Sequence, residues 1–555
     1  MPAQALLLPI GCLAAGALLA GPFGRLSEGA GRTVAAVAAW AAVVAMLAVW
    51  LPQRSPLEQT FAELGAGIRL AVRVDAVSFA FGLYVTVPAA LLLTFQRVRS
   101  PALGALATAA ALLSVEASGL ILAALAWGVT LTILRLYLQV AGAPADTAAR
   151  VRNEATWLCL AWAATVLYAL AGTDQYVAAP VTAVTPPLFG LVMLAAIFAS
   201  GLVPWRPWHA AALERLEPEA AGLPVALLFP FGFYLLVRLY QTGDGQYPSQ
   251  WFNLGLAALG TLTALSAALR AQAAASRRGY FSEAVPLAGG FTLLALALGT
   301  PLGLATAIAE MAGAALLPAL LVLIPAEVIS GSALLALAIV AGLPPALPFA
   351  SRLLTLQAAV QANEATAYLA LLAALAWLLA IAGAARALRL GAKARGPGSL
   401  TGVGMAAFAL LLAGPLVGAL QQGLAIPAAA SVLGDTGFPS SDLTGLPFAA
   451  ASASGSWPGI ALGGIVLLVT LTIVLAGRRT IVASLAAAPG ETGSAPFLRP
   501  AWQTLPGTVF AWVDSLAVPG EFQVTGWRRI DQALTSGSVW LWVAVFLALA
   551  LLLLR

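Results

Sequence analysis

The chain has 555 residues, of which 61% are hydrophobic and 9% charged, with a mean hydropathy of +0.95. Soluble domains carry about 25% charged residues, so a soluble enzyme, a disordered chain and a secreted module are excluded and a polytopic helical membrane protein remains. The net charge of +5 comes from 27 basic and 22 acidic residues; all but one of the basic residues are arginine, Lys393 is the one lysine and His209 the one histidine.

Apolar stretches of about 17–25 residues each suit one bilayer crossing. About sixteen follow one another, near 3–21, 33–51, 75–95, 101–116, 118–140, 153–172, 186–204, 220–241, 251–273, 282–300, 303–325, 330–348, 366–390, 401–424, 458–477 and 538–554. The first lacks a basic n-region and a small-residue cleavage site, so it reads as a retained span. Between spans two and three, Ile68 to Asp75 alternates in character and predicts a short hairpin. Residues 425–457 are rich in Ser, Gly and Pro, carry Asp435 and Asp442, and predict a surface loop. In 478–537 the residues Pro489, Pro496, Pro500, Pro506 and Pro519 rule out one continuous helix and leave short amphipathic pieces such as Thr508 to Leu516.

Basic residues gather on the cytoplasmic side of membrane proteins. The odd-numbered connections hold 20 of them, from Arg25 and Arg32 to Arg528 and Arg529. The even ones hold 5: Arg54, Arg69, Arg73, Arg238 and Arg352. This predicts a multi-pass protein of a bacterial-type cell membrane, with both termini and the hairpin outside. Arg135 reads as a snorkelling residue near the end of the fifth span.

The two cysteines, Cys12 and Cys159, lie inside apolar runs and are too few for an iron–sulfur or zinc site. One histidine excludes a bis-histidine haem, and no glycine-rich nucleotide loop follows a strand-like run. No cofactor, no metal and no nucleic acid is expected, and an intramembrane enzyme has no ligand cluster to work with.

Several runs come in a telling order: Arg73-Val74-Asp75-Ala76-Val77-Ser78; Val203-Pro204-Trp205-Arg206-Pro207-Trp208-His209; Gly232-Phe233-Tyr234 to Arg238; Arg277-Arg278-Gly279-Tyr280; Gly342-Leu343-Pro344-Pro345 to Arg352; and Arg529 to Gly537. They resemble, in turn, the "VDGLS", "PFHxW", "GVYLIAR", "KRxLAYS", "GxPPFxGFxxK" and "QTG" motifs of the proton-translocating antiporter-like subunits of complex I, Mrp antiporters and membrane-bound hydrogenases. The resemblance covers roughly residues 70–390 and the tail. It implies an all-α fold of two inverted five-helix repeats with discontinuous helices, here 101–241 and 251–390. Three helices in 1–100 precede them, and three more in 391–555 follow, joined by a cytoplasmic segment at 478–537. Pro204 with Pro207, and Pro344 with Pro345 and Pro348, remove backbone donors, so they mark either helix breaks or helix ends. Paired breaks in a repeat protein point to an ion site.

The resemblance also implies a mid-membrane file of glutamate and lysines, which can load and release protons once desolvated. Matching residue by residue, the fifth-span glutamate falls on Gly128, the seventh-span lysine on Ala199, and the eleventh-span His and Lys on Glu310 and Ala314. The last lysine falls on Arg352, which cannot give up its proton. The candidate carriers are Glu310, Glu116, Glu364 and His209. Glu310 is mid-span, in a proton path or in a structural polar pair. Glu116 reads as interfacial. His209 with Glu214, Glu217 and Glu219 reads as a proton vestibule or a solvated loop face. The expected function is a non-catalytic, antiporter-like subunit of a dehydrogenase or hydrogenase type complex, conducting protons weakly. The alternative is a non-conducting scaffold in a bioenergetic or inorganic-carbon-uptake complex. Both call for other integral membrane subunits as partners.

Overall fold

The structure, a computed structural model, describes residues 3–65, 67–96, 98–143, 147–203, 208–274, 276–324, 331–387, 400–434, 438, 445–450 and 453–458. In chain order the elements are α1 Leu8–Leu26, α2 Glu28–Trp50, β1 Leu57–Gly65, β2 Ile68–Val74, α3 Ala76–Phe95, α4 Pro101–Glu116, α5 Leu120–Val140 and α6 Thr147–Ala171. There follow α7 Pro186–Ser200, α8 Trp208–Arg215, α9 Pro218–Thr242, α10 Gln250–Ala273, α11 Arg277–Ser282, α12 Ala284–Ala297 and α13 Pro301–Leu323. Then come α14 Gly331–Ala341, α15 Leu347–Ala362, α16 Glu364–Ala387 and α17 Leu400–Ala413. A helical run Val417–Leu433 with a π turn at Gln421–Ala425, here α18, precedes β3 Gly445–Ala450 and β4 Ala453–Pro458. Ten helices among the described residues are long and apolar enough to cross a bilayer. The chain is a multi-pass, predominantly helical membrane protein with two short β-hairpins.

Local chemistry sets the helix starts. Proline opens α4, α7, α9 and α13, where its missing N–H costs nothing. Asp75 caps α3 in a reciprocal box: its carboxylate accepts from Ser78 N at 2.9 Å, and Ser78 Oγ accepts from Asp75 N at 2.8 Å.

α3, α9 and α13 pack on one another at the centre, and every residue of the best apolar window in α9 is buried. α1, α2 and α16 lie outside and expose apolar faces, with Leu18 77% and Leu371 67% exposed. Hydrocarbon is as apolar as leucine, so such faces suit lipid or neighbouring subunits.

Two helices are interrupted in the same way. α7 ends on Gly201 at φ +58°, and Leu202 N–H reaches back to Ile197 O at 3.0 Å. α14 ends on Gly342 at φ +70°, and Leu343 N–H reaches Ala338 O at 2.9 Å. Left-handed glycine is the usual residue for such a stop. In each case a second piece follows, α8 and α15.

The predicted hairpin exists: β1 pairs antiparallel with β2, Leu57 opposite Val74. The fourth predicted span, 101–116, coincides with α4. Three expectations are corrected. Residues 349–362 are helix α15 and not a connection, because the chain resumes after the Pro344-Pro345 interruption. The supposed loop 425–457 begins as helix up to Leu433 and contains the β3–β4 hairpin. Arg238 and Arg352 are not loop residues; both are buried inside helices, 1% and 0% exposed, held by acidic partners. Pro204, Arg206, Pro207, Lys393, the last two predicted spans and 478–537 lie outside the described residues.

Candidate functional site

At the second break the site is built from α13, α14, α15 and α16. Glu310, in the middle of α13, is 1% exposed. Its Oε1 lies 3.7 Å from Arg352 Nε, and its Oε2 accepts from Ser351 Oγ. Both Nη atoms of Arg352 donate to Val340 O at 3.3 Å, and the guanidinium lies 5.3 Å from the centre of the Phe291 ring. Trp377 Nε1 donates to Ala341 O at 2.9 Å. The last two carbonyls of α14, which have no partner within their own helix, thus each receive a side-chain donor. A cation at this negative end of the half-helix is also favoured by the helix dipole.

The cradle is tight. A Cβ on Gly342 would lie 2.6 Å from Arg352 Nη1 and 2.9 Å from Trp377 Nε1, and a Cβ on Gly414 would lie 1.8 Å from Pro345 O. The peptide between Pro344 and Pro345 is cis.

At the first break His209, the second residue of α8, is fully buried. Its ring packs against Phe229 at 5.2 Å, and a Cβ on Gly201 would lie 2.3 Å from its Cε1. Neither ring nitrogen has a hydrogen-bond partner among the described residues. Trp208 Nε1 donates to Ala199 O at 3.3 Å, and Ser200 Oγ donates to Phe229 O at 2.9 Å. Each break therefore closes on a left-handed glycine with a basic ring or guanidinium from the following helix packed against it.

A third cluster lies on the hairpin side. Arg238 in α9 grips Asp75 with two bonds, Nη1 to Oδ2 at 2.7 Å and Nη2 to Oδ1 at 2.8 Å. Arg73 Nε adds a third to Asp75 at 3.2 Å, and its Nη1 reaches Glu58 at 3.1 Å. The guanidinium of Arg238 sits 5.2 Å and 5.7 Å from the ring centres of Tyr234 and Tyr176. Here the linker between α4 and α5 is strapped on both sides. Ser118 N–H donates to Ala71 O at 3.0 Å, and Tyr176 N–H donates to Ser118 O at 3.1 Å. Asp174 accepts from Gln175 Nε2 at 2.8 Å; burial still pushes its carboxyl above the ordinary value of 3.8.

Of the sequence candidates, the fold brings together Glu310 and Arg352, with Pro344 and Pro345 forming the interruption beside them. It does not add Glu364, which is exposed at the first turn of α16, where an acid suits the positive helix end. Glu116 ends α4 and is 1% exposed, because the strapped linker covers the end of that helix. His209 is no solvated loop residue, since α8 folds it back under Gly201; Glu214 and Glu219 are half-buried and Glu217 is exposed. Arg135 pairs with Glu154 across α5 and α6. At Gly128 a Cβ would lie 2.9 Å from Trp157 Nε1, so an indole fills the space a side chain would need. Ala199 and Ala314 are buried at 1% exposure.

Sequence reasoning did not pair Asp75 with Arg238. A charge at the start of one span and another four residues before the end of a second were the available signal.

No protein-family model matches the sequence, and no curated protein matches it. Solved structures do match in fold. A chain of the Mrp complex from Dietzia sp. DQ12-45-1b superposes with TM-score 0.70 at 22% identity over 99% of this chain. This chain spans 62% of the length of that one. A chain of the membrane-bound sulfane sulfur reductase, an archaeal respiratory membrane complex, gives TM-score 0.72 at 16% identity, covering 99% of both chains. A chain of respiratory complex I from Thermus thermophilus gives 0.60 at 21% identity, covering 79% of this chain and 100% of that one. The buried charges and broken helices described above thus sit on a polytopic helical fold shared with chains of Mrp, sulfane sulfur reductase and complex I assemblies.

Proposed function

We propose that the chain is an antiporter-like integral membrane subunit of a complex I-related assembly, of the dehydrogenase or hydrogenase type, derived from proton translocation. Redox chemistry would come from partner chains. α4 to α9 and α10 to α16 form the two inverted repeats in this reading, and the arginine bias puts the hairpin outside a bacterial-type cell membrane. One observation carries it: two helices broken at the same kind of left-handed glycine stop, each with a buried basic side chain against the stop. Broken half-helices place backbone dipoles at membrane depth, where they can face an ion. Glu310 and His209 are the groups at the two breaks able to take up a proton, and Arg352 sets the field at the second.

A second reading, a non-conducting scaffold that binds partner subunits, is favoured by Trp157 filling the space beside Gly128 and by the alanines at 199 and 314. Proteoliposomes holding the chain or its complex decide between them. Proton flux that Glu310→Gln or Arg352→Ala abolishes overturns the scaffold reading. Flux unchanged in both variants overturns the site assignment.

A further inference from the structure

We propose that Glu116 is a proton-binding site served from the hairpin side, through a cavity that opens above the Asp75–Arg238 pair. Glu116 ends α4 and is 1% exposed, and neither of its carboxylate oxygens has a hydrogen-bond partner among the described residues. An ionised carboxylate buried without a cation or donor is costly. The group is thus built to carry a proton, and a proton must reach it.

The line of polar atoms beside it leads to one face. Tyr234 Oη donates to Ala117 O, the next residue's carbonyl, at 3.5 Å. The same oxygen accepts from Arg238 Nε at 3.2 Å. Arg238 in turn holds Asp75, and Asp75 lines a cavity of about 410 Å³ together with Arg73, Tyr176, Gln241 and Asp244. Tyr176 Oη is buried there without a hydrogen-bond partner, the mark of a place where water would complete a bond. A volume of this size holds several waters. Arg238 cannot release a proton, so water and the two tyrosine hydroxyls are the carriers, and the ion pair keeps the line polar.

The charged and titratable groups around the path come from every side of it: Tyr234 and Arg238 on α9, Asp75 before α3, Arg73 on β2, Glu58 on β1, and Asp174 and Tyr176 after α6. None of them pairs with Glu116.

Proton uptake at Glu116 would serve the translocation proposed above and rests on that reading for its purpose, but the site is testable without flux. The full chain, with Cys12→Ser and Cys159→Ser, carries Glu116→Cys in sealed vesicles and meets a membrane-impermeant cationic methanethiosulfonate from either side. Glu63→Cys, on the exposed hairpin, reports which side is which. Modification of Glu116→Cys from the hairpin side is expected. No modification, or modification from the opposite side alone, overturns the proposal.

Infrared spectra of the otherwise native chain guard against a misfolded cysteine variant. A protonated-carboxyl band that shifts in D2O and is lost in Glu116→Gln is expected. A spectrum unchanged by Glu116→Gln overturns the site. Both results positive with no proton flux in the reconstituted complex would sink the translocating function and leave the site standing.

Discussion

Replacing Arg352 with alanine removes the cation that faces Glu310 among the described residues and one of the donors to the end of α14. At the observed 3.7 Å, two unit charges attract by about 4 kcal/mol with an effective dielectric near 20. The desolvation of both groups offsets much of that, so the net worth of the pair is small. The cost of removing one member is not small, because the other stays buried and unpaired: about 3–5 kcal/mol. Arg352→Ala should therefore destabilise the purified chain by up to that amount in SDS or thermal unfolding, and Glu310→Gln by at least as much, since it strands a guanidinium that cannot lose its proton whereas a stranded Glu310 can be neutralised by protonation. The double variant Glu310→Gln with Arg352→Ala should cost less than the two singles summed, giving a coupling energy of about 2 kcal/mol or more. Two single variants that each cost under about 0.5 kcal/mol and simply add would refute the reasoning, since they would mean the pair is solvated.

Gly201→Ala should destabilise by about 1–2 kcal/mol from the left-handed backbone alone, with a further loss that His209→Ala relieves, because the new Cβ would lie 2.3 Å from the ring; thermal unfolding of the three variants checks this. Gly414→Ala should be worse tolerated than a glycine change at an open site such as Gly404, since Pro345 O lies 1.8 Å from the new Cβ while among the described residues no atom comes within 4 Å of one at Gly404; yields and melting of the two variants compare them. Trp377→Phe should cost about 1 kcal/mol, the worth of the bond to Ala341 O, and leave the fold intact. Asp174 has a native pKa raised above its ordinary 3.8, so the folded chain binds more protons than the unfolded one and loses stability as pH rises from that value through the native pKa. The stability of Asp174→Asn relative to the native chain should grow over that interval in unfolding experiments run at stepped pH.

Much of this architecture is legible in the sequence because a bilayer demands long apolar runs. α3, α4, α5 and α9 lie within a few residues of their predicted spans, and the Ile68 to Asp75 alternation became β2. The Gly342-Leu343-Pro344-Pro345 interruption was readable because proline removes a donor and glycine supplies the turn. What the sequence hid was the third dimension. Arg238 and Arg352 look like end-of-span residues in one dimension, yet each faces an acid from a distant helix, Asp75 and Glu310. Glu116 looked interfacial because it ends an apolar run; the strap of residues 117–119 between β2 and 174–176, which buries it, depends on backbone bonds with no sequence signature. Glu364 shows the converse ambiguity: an acid before an apolar run is also what an exposed helix start looks like, and that is where it lies.

The two breaks differ in what they allow. At the second, the guanidinium of Arg352 is a permanent charge whose surroundings are compensated: the Glu310 carboxylate, the Val340 carbonyl and the face of Phe291. Arg352 cannot release its proton, and Glu310 can take one up only by giving up its cation, which costs several kcal/mol. At the first, His209 is an imidazole with no hydrogen-bond partner at either nitrogen among the described residues. A proton or a water could reach it only if the packing beside Gly201 opened, since a Cβ there would already lie 2.3 Å from the ring. The fold thus pairs one locked break with one that a proton or a water molecule can change once that packing opens. A lysine in place of Arg352 would convert the locked break into a second responsive one, since a buried ammonium can release its proton where a guanidinium cannot. Arg352→Lys should therefore raise proton flux in reconstituted vesicles while keeping the charge that holds Glu310. Flux that is unchanged in this variant and falls in His209→Ala would place control of conduction at the first break alone.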